Sequence, residues 1–175
     1  MTANRVFGFA GYSGAGKTTL IEQLIPRFVA DGRKVALIKH AHHSFDIDRP
    51  GKDSWRHREA GAAEVLISSG QRWVLMHELN GAPEPSLAEQ IAHLSPCDLI
   101  LVEGYKHAAI PKLEVYRASA GKPMLWPADG NIVGIATDSA LETDLPQVDL
   151  NDPDAVAEFI LKFLDSDHVE RTSAA

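Results

Sequence analysis

Gly11-Tyr12-Ser13-Gly14-Ala15-Gly16-Lys17-Thr18 has the spacing G-x-x-x-x-G-K-[ST], and the chemistry served by that spacing is the holding of a polyphosphate. The glycines let successive backbone N–H groups turn toward one anion with no side chain in the way, and a helix starting at Lys17 adds the positive end of its dipole. In such a loop Lys17 reaches the β- and γ-phosphates and the Thr18 hydroxyl coordinates Mg²⁺. The bland alternative is a glycine-rich turn with an exposed lysine. A Mg²⁺ site also needs a carboxylate on a neighbouring strand end. Glu103 supplies one, because Leu99-Ile100-Leu101-Val102 buries the strand that it terminates. One methylene longer than Asp, Glu103 can act through a metal-bound water, or orient an attacking water, as readily as it can ligate directly. Its alternative is a solvated acid that begins a loop.

Two further groups bear on the ligand. The guanine signature Asn-Lys-x-Asp is absent, yet Ala136-Thr137-Asp138 ends a buried strand late in the chain. A carboxylate there accepts from the N1–H and exocyclic amine of guanine, a donor pair that adenine lacks, so guanine is favoured. Alternatively, Asp138 caps the turn that follows. The stretch KHAHHSFDIDRPGKDS, residues 39–54, packs histidines and carboxylates together after an apolar run. Lys39 and His40 can face anions, Asp46 and Asp48 can reach a Mg²⁺ shell or a water, and Pro50 to Ser54 leads into a helix start where Lys52 could help to hold a second phosphate. We read it as a switch-like loop for the nucleotide and a second ligand. A transition-metal site built from the same imidazoles and carboxylates, or a solvated polar loop, remains open at this point.

The elements that must position these groups follow from the apolar pattern. At 175 residues the chain has the length of one domain, expected over residues 1–165 with a frayed tail over 166–175. Apolar runs at Val6–Ala10, Val35–Ile38, Val65–Ser68, Leu99–Val102 and Ile132–Ala136 read as strands, with another at Gln71–Glu78. Helices are expected from Lys17 to about Val29, shortened or kinked by Pro26, then near Ser54–Ala60, from the Ser86 capping box to His93, and after Asp152-Pro153. Alternating Lys112 to Arg117 suits an edge strand or hairpin. The fold class is therefore α/β, a mostly parallel central sheet covered by helices on both faces in the manner of P-loop NTPases, with an antiparallel hairpin or edge extension. In such sheets ligands sit beyond the C-terminal strand ends.

Composition excludes several classes. Hydrophobic residues at 45% and charged residues at 23% are those of a soluble globular protein, and no apolar run is long enough to span a bilayer. The first residues do not read as a secretory signal, and the single cysteine, Cys97, fits a reducing compartment, so a cytoplasmic setting is expected. A net charge of −7 argues against a nucleic-acid coat, since phosphate affinity there comes from Lys and Arg.

GYSGAGKTTL, LIKHAHHSFDIDRPGKDS, the following AGA with QRWVLM, DLILVEGYKH and the late IATD together resemble the molybdopterin-guanine dinucleotide biosynthesis protein B family across about residues 6 to 160. The resemblance implies a GTP-binding protein with weak GTPase activity, a homodimer that assists the enzyme joining GMP to molybdopterin, with molybdopterin itself a further candidate ligand. Carried over by position, Gly11, Ser13, Gly14, Ala15, Gly16, Lys17, Thr18 and Thr19 would hold GTP and Mg²⁺, and Glu103 would be the metal-side acid. The full expected site is Lys17, Glu103 and Asp48 for catalysis, Thr18, Glu103 and Asp46 for metal, and Asp138, His40 and Lys52 around the nucleotide. Gln71–Glu78 and Lys112–Arg117 would flank the dimer interface, and an open sheet edge invites pairing with another copy. No arginine finger is evident, so turnover would be slow. The competing readings are a small-molecule kinase with Asp46 or Asp48 as base, and a metallochaperone GTPase using His40, His42 and His43. An ATPase that dimerises through an extra early loop lysine is disfavoured by Tyr12.

Overall fold

The computed structural model describes residues 5–41 and 45–173. In chain order the elements are β1 (Arg5–Ala10), α1 (Lys17–Ala30), β2 (Val35–Lys39), α2 (Asp53–Glu59), β3 (Glu64–Ser68), β4 (Trp73–His77), α3 (Leu87–Ala92), β5 (Leu99–Glu103), β6 (Lys112–Tyr116), β7 (Ile132–Thr137), β8 (Gln147–Asp149) and α4 (Pro153–Ser173). These elements group into two compact units, residues 1–40 with 87–175, and residues 41–86.

The larger unit is a six-stranded sheet in the order β2-β5-β1-β6-β7-β8, and every neighbouring pair is parallel. Successive residues of a strand point to opposite faces, and the two core clusters divide on that basis. Phe7, Phe9, Leu99, Leu101, Leu113 and Val115 pack with Leu20, Ile21, Leu24 and Phe28 of α1 and with Val156 and Ile160 of α4. Ile38, Ile100 and Val102 face the other way, against Leu87 and Ile91 of α3. With both faces covered, the strands read as continuous apolar runs, as expected for a parallel sheet.

Four expectations change. Pro26 neither ends nor shortens α1, which runs to Ala30, because it lies on the exposed side where the unmatched carbonyl a turn earlier can be hydrated. Strand β8 carries too short an apolar signal to have been read. Helix α4 continues to Ser173, well past the apolar stripe that ends at Leu164. Lastly, β6 is not an edge strand or hairpin but an interior strand between β1 and β7, so it offers no free edge to a second copy. Its alternation was misleading because the charged residues are buried too: Lys112 and Glu114 are each 1% exposed.

Both charges are satisfied. Lys112 Nζ donates to the carbonyls of Lys106 and Ala108 at 2.8 Å each and pairs with Asp129 at 2.6 Å. Glu114 accepts the backbone N–H groups of Leu125 and Trp126. Burial pushes the Glu114 carboxyl up, with those two N–H groups opposing it. Gly8 makes room for the lysine, since a Cβ there would stand 2.6 Å from Lys112 Cγ.

The smaller unit holds α2 and the antiparallel hairpin β3–β4, in register Leu66↔Leu75. One face of the hairpin leaves Leu66 60% and Trp73 64% exposed, while Met76 of the other face is buried.

Truncating Lys112 would strand the Asp129 carboxylate and two loop carbonyls. Lys112→Ala is expected to cost about 3–5 kcal/mol of stability, whereas removing the exposed Lys162–Glu158 pair costs under about 0.5 kcal/mol. Urea denaturation of the two variants measures the difference.

Candidate functional site

A fully parallel sheet brings its C-terminal strand ends to one edge, and the phosphate loop leaves β1 at that edge. Gly11 has φ +142°, and a Cβ on it would lie 2.5 Å from the Val115 carbonyl of β6, so both conformation and space require glycine. The loop delivers Lys17 as the first residue of α1, and the Lys17 ammonium donates to the Gly11 and Tyr12 carbonyls at 2.9 Å each.

Beside it, the Thr18 hydroxyl donates to Glu103 Oε1 at 2.6 Å, a short charge-assisted hydrogen bond. Lys39, the last residue of β2, reaches Glu103 Oε2 and Thr18 Oγ1 at 3.3 Å each. Glu103 is itself buried at the end of β5. Gly104 follows it with φ +103°, and its missing Cβ would meet His40 at 3.2 Å, so the turn after β5 packs on the residue after β2. His40 donates its backbone N–H to the Glu103 carbonyl at 2.9 Å, and its ring lies 5.0 Å from that of Tyr105. Lys106 sits 5.4 Å from the centroid of the Tyr12 ring. Burial holds the Lys17 ammonium below its ordinary pKa; Glu103 opposes this, and Lys106 and Lys39 add to it. Sequence reasoning gave Lys106 no role, although the VEGYKH stretch contains it.

Further along the same edge Asp138 directly follows β7, where Arg117, just past β6, donates to it at 2.9 Å. The other expected residues belong to the smaller unit. Asp46 accepts from Arg58 at 2.8 and 3.0 Å, and that hydrogen bond holds its carboxyl below the usual range. Asp48 accepts from Ser54 at 2.8 Å and lies 3.5 Å from Arg58 Nε, an ionic contact longer than a hydrogen bond. Arg58 also binds Glu78 at 2.8 Å, so one guanidinium gathers three acids. Lys52 occupies the position before α2 without a side-chain capping bond, and the first turn of that helix carries Asp53. His42 and His43 lie outside the described residues. Among the described residues no group of three His, Cys, Asp or Glu is arranged to hold a metal ion.

Hard oxygen donors from Thr18 and Glu103, meeting beside the start of α1, fit a Mg²⁺ ion. The soft or imidazole-rich set that zinc or nickel prefers is not assembled by the described residues.

Comparison with known proteins gives a family and a fold. The family model described as "Molybdopterin guanine dinucleotide synthesis protein B" matches residues 6–138. The chain is 41% identical over 162 residues to the molybdopterin-guanine dinucleotide biosynthesis adapter protein of Escherichia coli (strain K12), covering 91% of this chain and 93% of that one. It is 40% identical over 169 residues to the adapter protein of Haemophilus influenzae, covering 95% and 93%. Among solved structures, a MobB protein homolog from Bacillus stearothermophilus shares the fold with a TM-score of 0.70 at 24% identity, over 92% of this chain and 98% of that one.

Because folding disfavours the charged form of Lys17, the unfolded chain holds its proton more tightly, and this group's contribution to stability improves as pH rises through its lowered pKa toward 10.5. Lys17→Met without nucleotide is therefore expected to melt no lower than wild type near neutral pH, with wild type gaining on it in alkaline buffer. Thermal melts across that pH range check the sign.

Proposed function

This chain belongs to the molybdopterin guanine dinucleotide synthesis protein B family, and from that membership we propose that it binds GTP with Mg²⁺ and acts as an adapter for the enzyme that joins GMP to molybdopterin. The observation that carries the nucleotide reading is the 2.6 Å contact between Thr18 and Glu103 beside Lys17, at the strand edge where the glycine loop turns. In this reading the loop amides and Lys17 hold the phosphates, and Thr18 with Glu103 would hold Mg²⁺, whose charge helps to neutralise them. Asp138 reads guanine through its N1–H and exocyclic amine.

Hydrolysis is slow in this reading. Arg117, the arginine beside the loop, is engaged by Asp138 and Asn151, and a site without an arginine aimed at the transferring phosphate turns over orders of magnitude more slowly than an assisted one. Weak turnover suits an adapter, whose work is done by the bound state. The adapter is proposed to act in the cytoplasm; no helix among the described residues is long and apolar enough to cross a membrane.

The same reading includes a homodimer. A two-stranded hairpin is marginal unless something covers it, and the exposed Leu66, Leu75 and Trp73 share one face of β3–β4. A second copy is the cover that we propose.

Titration calorimetry with GTP and Mg²⁺ tests the nucleotide assignment. Lys17→Ala is expected to weaken GTP binding by roughly 10–100-fold, the loss of a charged hydrogen-bonding partner, and undiminished affinity would overturn the assignment. Glu103→Gln should retain nucleotide while Mg²⁺ affinity drops roughly 10–100-fold. For the dimer, Leu66→Lys with Trp73→Lys is expected to sediment as a monomer where wild type sediments as a dimer.

A further inference from the structure

Three strand ends meet around one side chain that neither the motifs nor the family match singles out. Arg117, after β6, donates from Nη1 to Asp138 Oδ2 at 2.9 Å and from Nη2 to Asn151 Oδ1 at 3.3 Å. Asp138 directly follows β7, and Asn151 follows β8. Asn151 is itself fixed, because its backbone N–H and its side-chain amide both donate to Asp149 Oδ1, at 2.8 and 3.2 Å. On the other side, Arg117 Nε lies 3.6 Å from the place a Cβ on Gly16 would take, so the guanidinium reaches the start of α1.

Two physical points separate this arrangement from an ordinary surface ion pair. A lone exposed pair contributes little and holds its partners loosely, but a planar fork that binds two acceptors from the turns after two different strands sets their orientation. Arg117 and Asp138 are also only partly open to water, with side chains 33% and 25% exposed. Furthermore, a cation beside a helix N-terminus faces the positive end of the dipole. Arg117 stands there beside Gly16, so it needs acidic partners to remain, and Asp138 is the carboxylate that the structure provides.

We propose that Arg117 is a specificity-determining positioning residue: through the Asn151–Asp149 anchor it aims the Asp138 carboxylate at the base of the bound nucleotide. The proposal rests on the reading of Asp138 as the group that recognises guanine. A carboxylate has about four lone-pair sites, so accepting one N–H from Arg117 leaves room for the N1–H and exocyclic amine of a purine. Without Arg117 the Asp138 side chain is free to rotate. The protein would then lose discrimination at the base more than it loses grip on the phosphates.

Competition titrations against a fluorescent GTP analogue, with GTP, inosine triphosphate, xanthosine triphosphate and inorganic tripolyphosphate, test this on the full chain. Inosine triphosphate lacks only the exocyclic amine, and tripolyphosphate registers any loss shared by the whole site. Arg117→Ala is expected to reduce the preference for GTP over inosine triphosphate roughly tenfold, with a smaller drop for tripolyphosphate, and Arg117→Lys to restore part of that preference. Asp138→Asn tests the underlying reading separately, and should shift preference toward xanthosine triphosphate. If Asp138→Asn shifts preference but Arg117→Ala keeps the wild-type ratio, the positioning role is overturned and the base reading stands. If GTP and tripolyphosphate weaken equally in Arg117→Ala, Arg117 is a phosphate ligand and the proposal is likewise overturned. A wild-type protein that does not distinguish GTP from inosine triphosphate, or an Asp138→Asn that changes nothing, overturns both.

Discussion

Parallel alignment of all six strands is the constraint on which the rest of the larger unit depends. Each strand of such a sheet must return through a crossover, so every C-terminal end emerges at one edge and every crossover adds a loop or a helix start there. Glu103 from β5, Lys39 from β2, Lys17 after β1 and Arg117 after β6 are neighbours because topology leaves them no other place. Thr18 and Lys39 meet the Glu103 carboxylate across large separations in sequence, and Arg117 reaches the start of α1 at Gly16.

The electrostatics of that edge run against the whole-molecule charge. A chain of net charge −7 gathers Lys17, Lys39, Lys106 and Arg117 around the start of one helix, whose dipole end is also positive. Some of that repulsion is relieved internally, since Glu103 serves both Lys39 and Thr18 while the Gly11 and Tyr12 carbonyls accept from Lys17. A local field of this kind attracts anions, and it needs no overall basic character to do so.

Much of the fold was legible because burial on both faces writes itself into apolar runs. Leu99–Val102 announced a central strand, and the G-x-x-x-x-G-K-T spacing announced the loop, since both rest on local rules. What escaped depends on partners distant in sequence. Lys112 and Glu114 resemble the wet side of an edge strand until Asp129, Leu125 and Trp126 are seen to satisfy them. The Asp46 and Asp48 carboxylates look available in sequence, yet Asp46 binds Arg58 of the following helix and Asp48 accepts from Ser54 with Arg58 at 3.5 Å. Arg117 left no local signal either, because its meaning comes from β7 and β8. Glycines at 11 and 16, by contrast, were legible from spacing alone.

The Val115 carbonyl presses so closely on Gly11 that the first turn of the loop and the backbone of β6 form one mechanical part. Any side chain at 11 must push a core strand aside before it can disturb a ligand. The open space around Gly14 imposes no such coupling. Genetic lesions at these two glycines, alike on paper, should therefore divide into different phenotypes: at 11, loss of the folded protein; at 14, a folded protein with altered occupancy of its site.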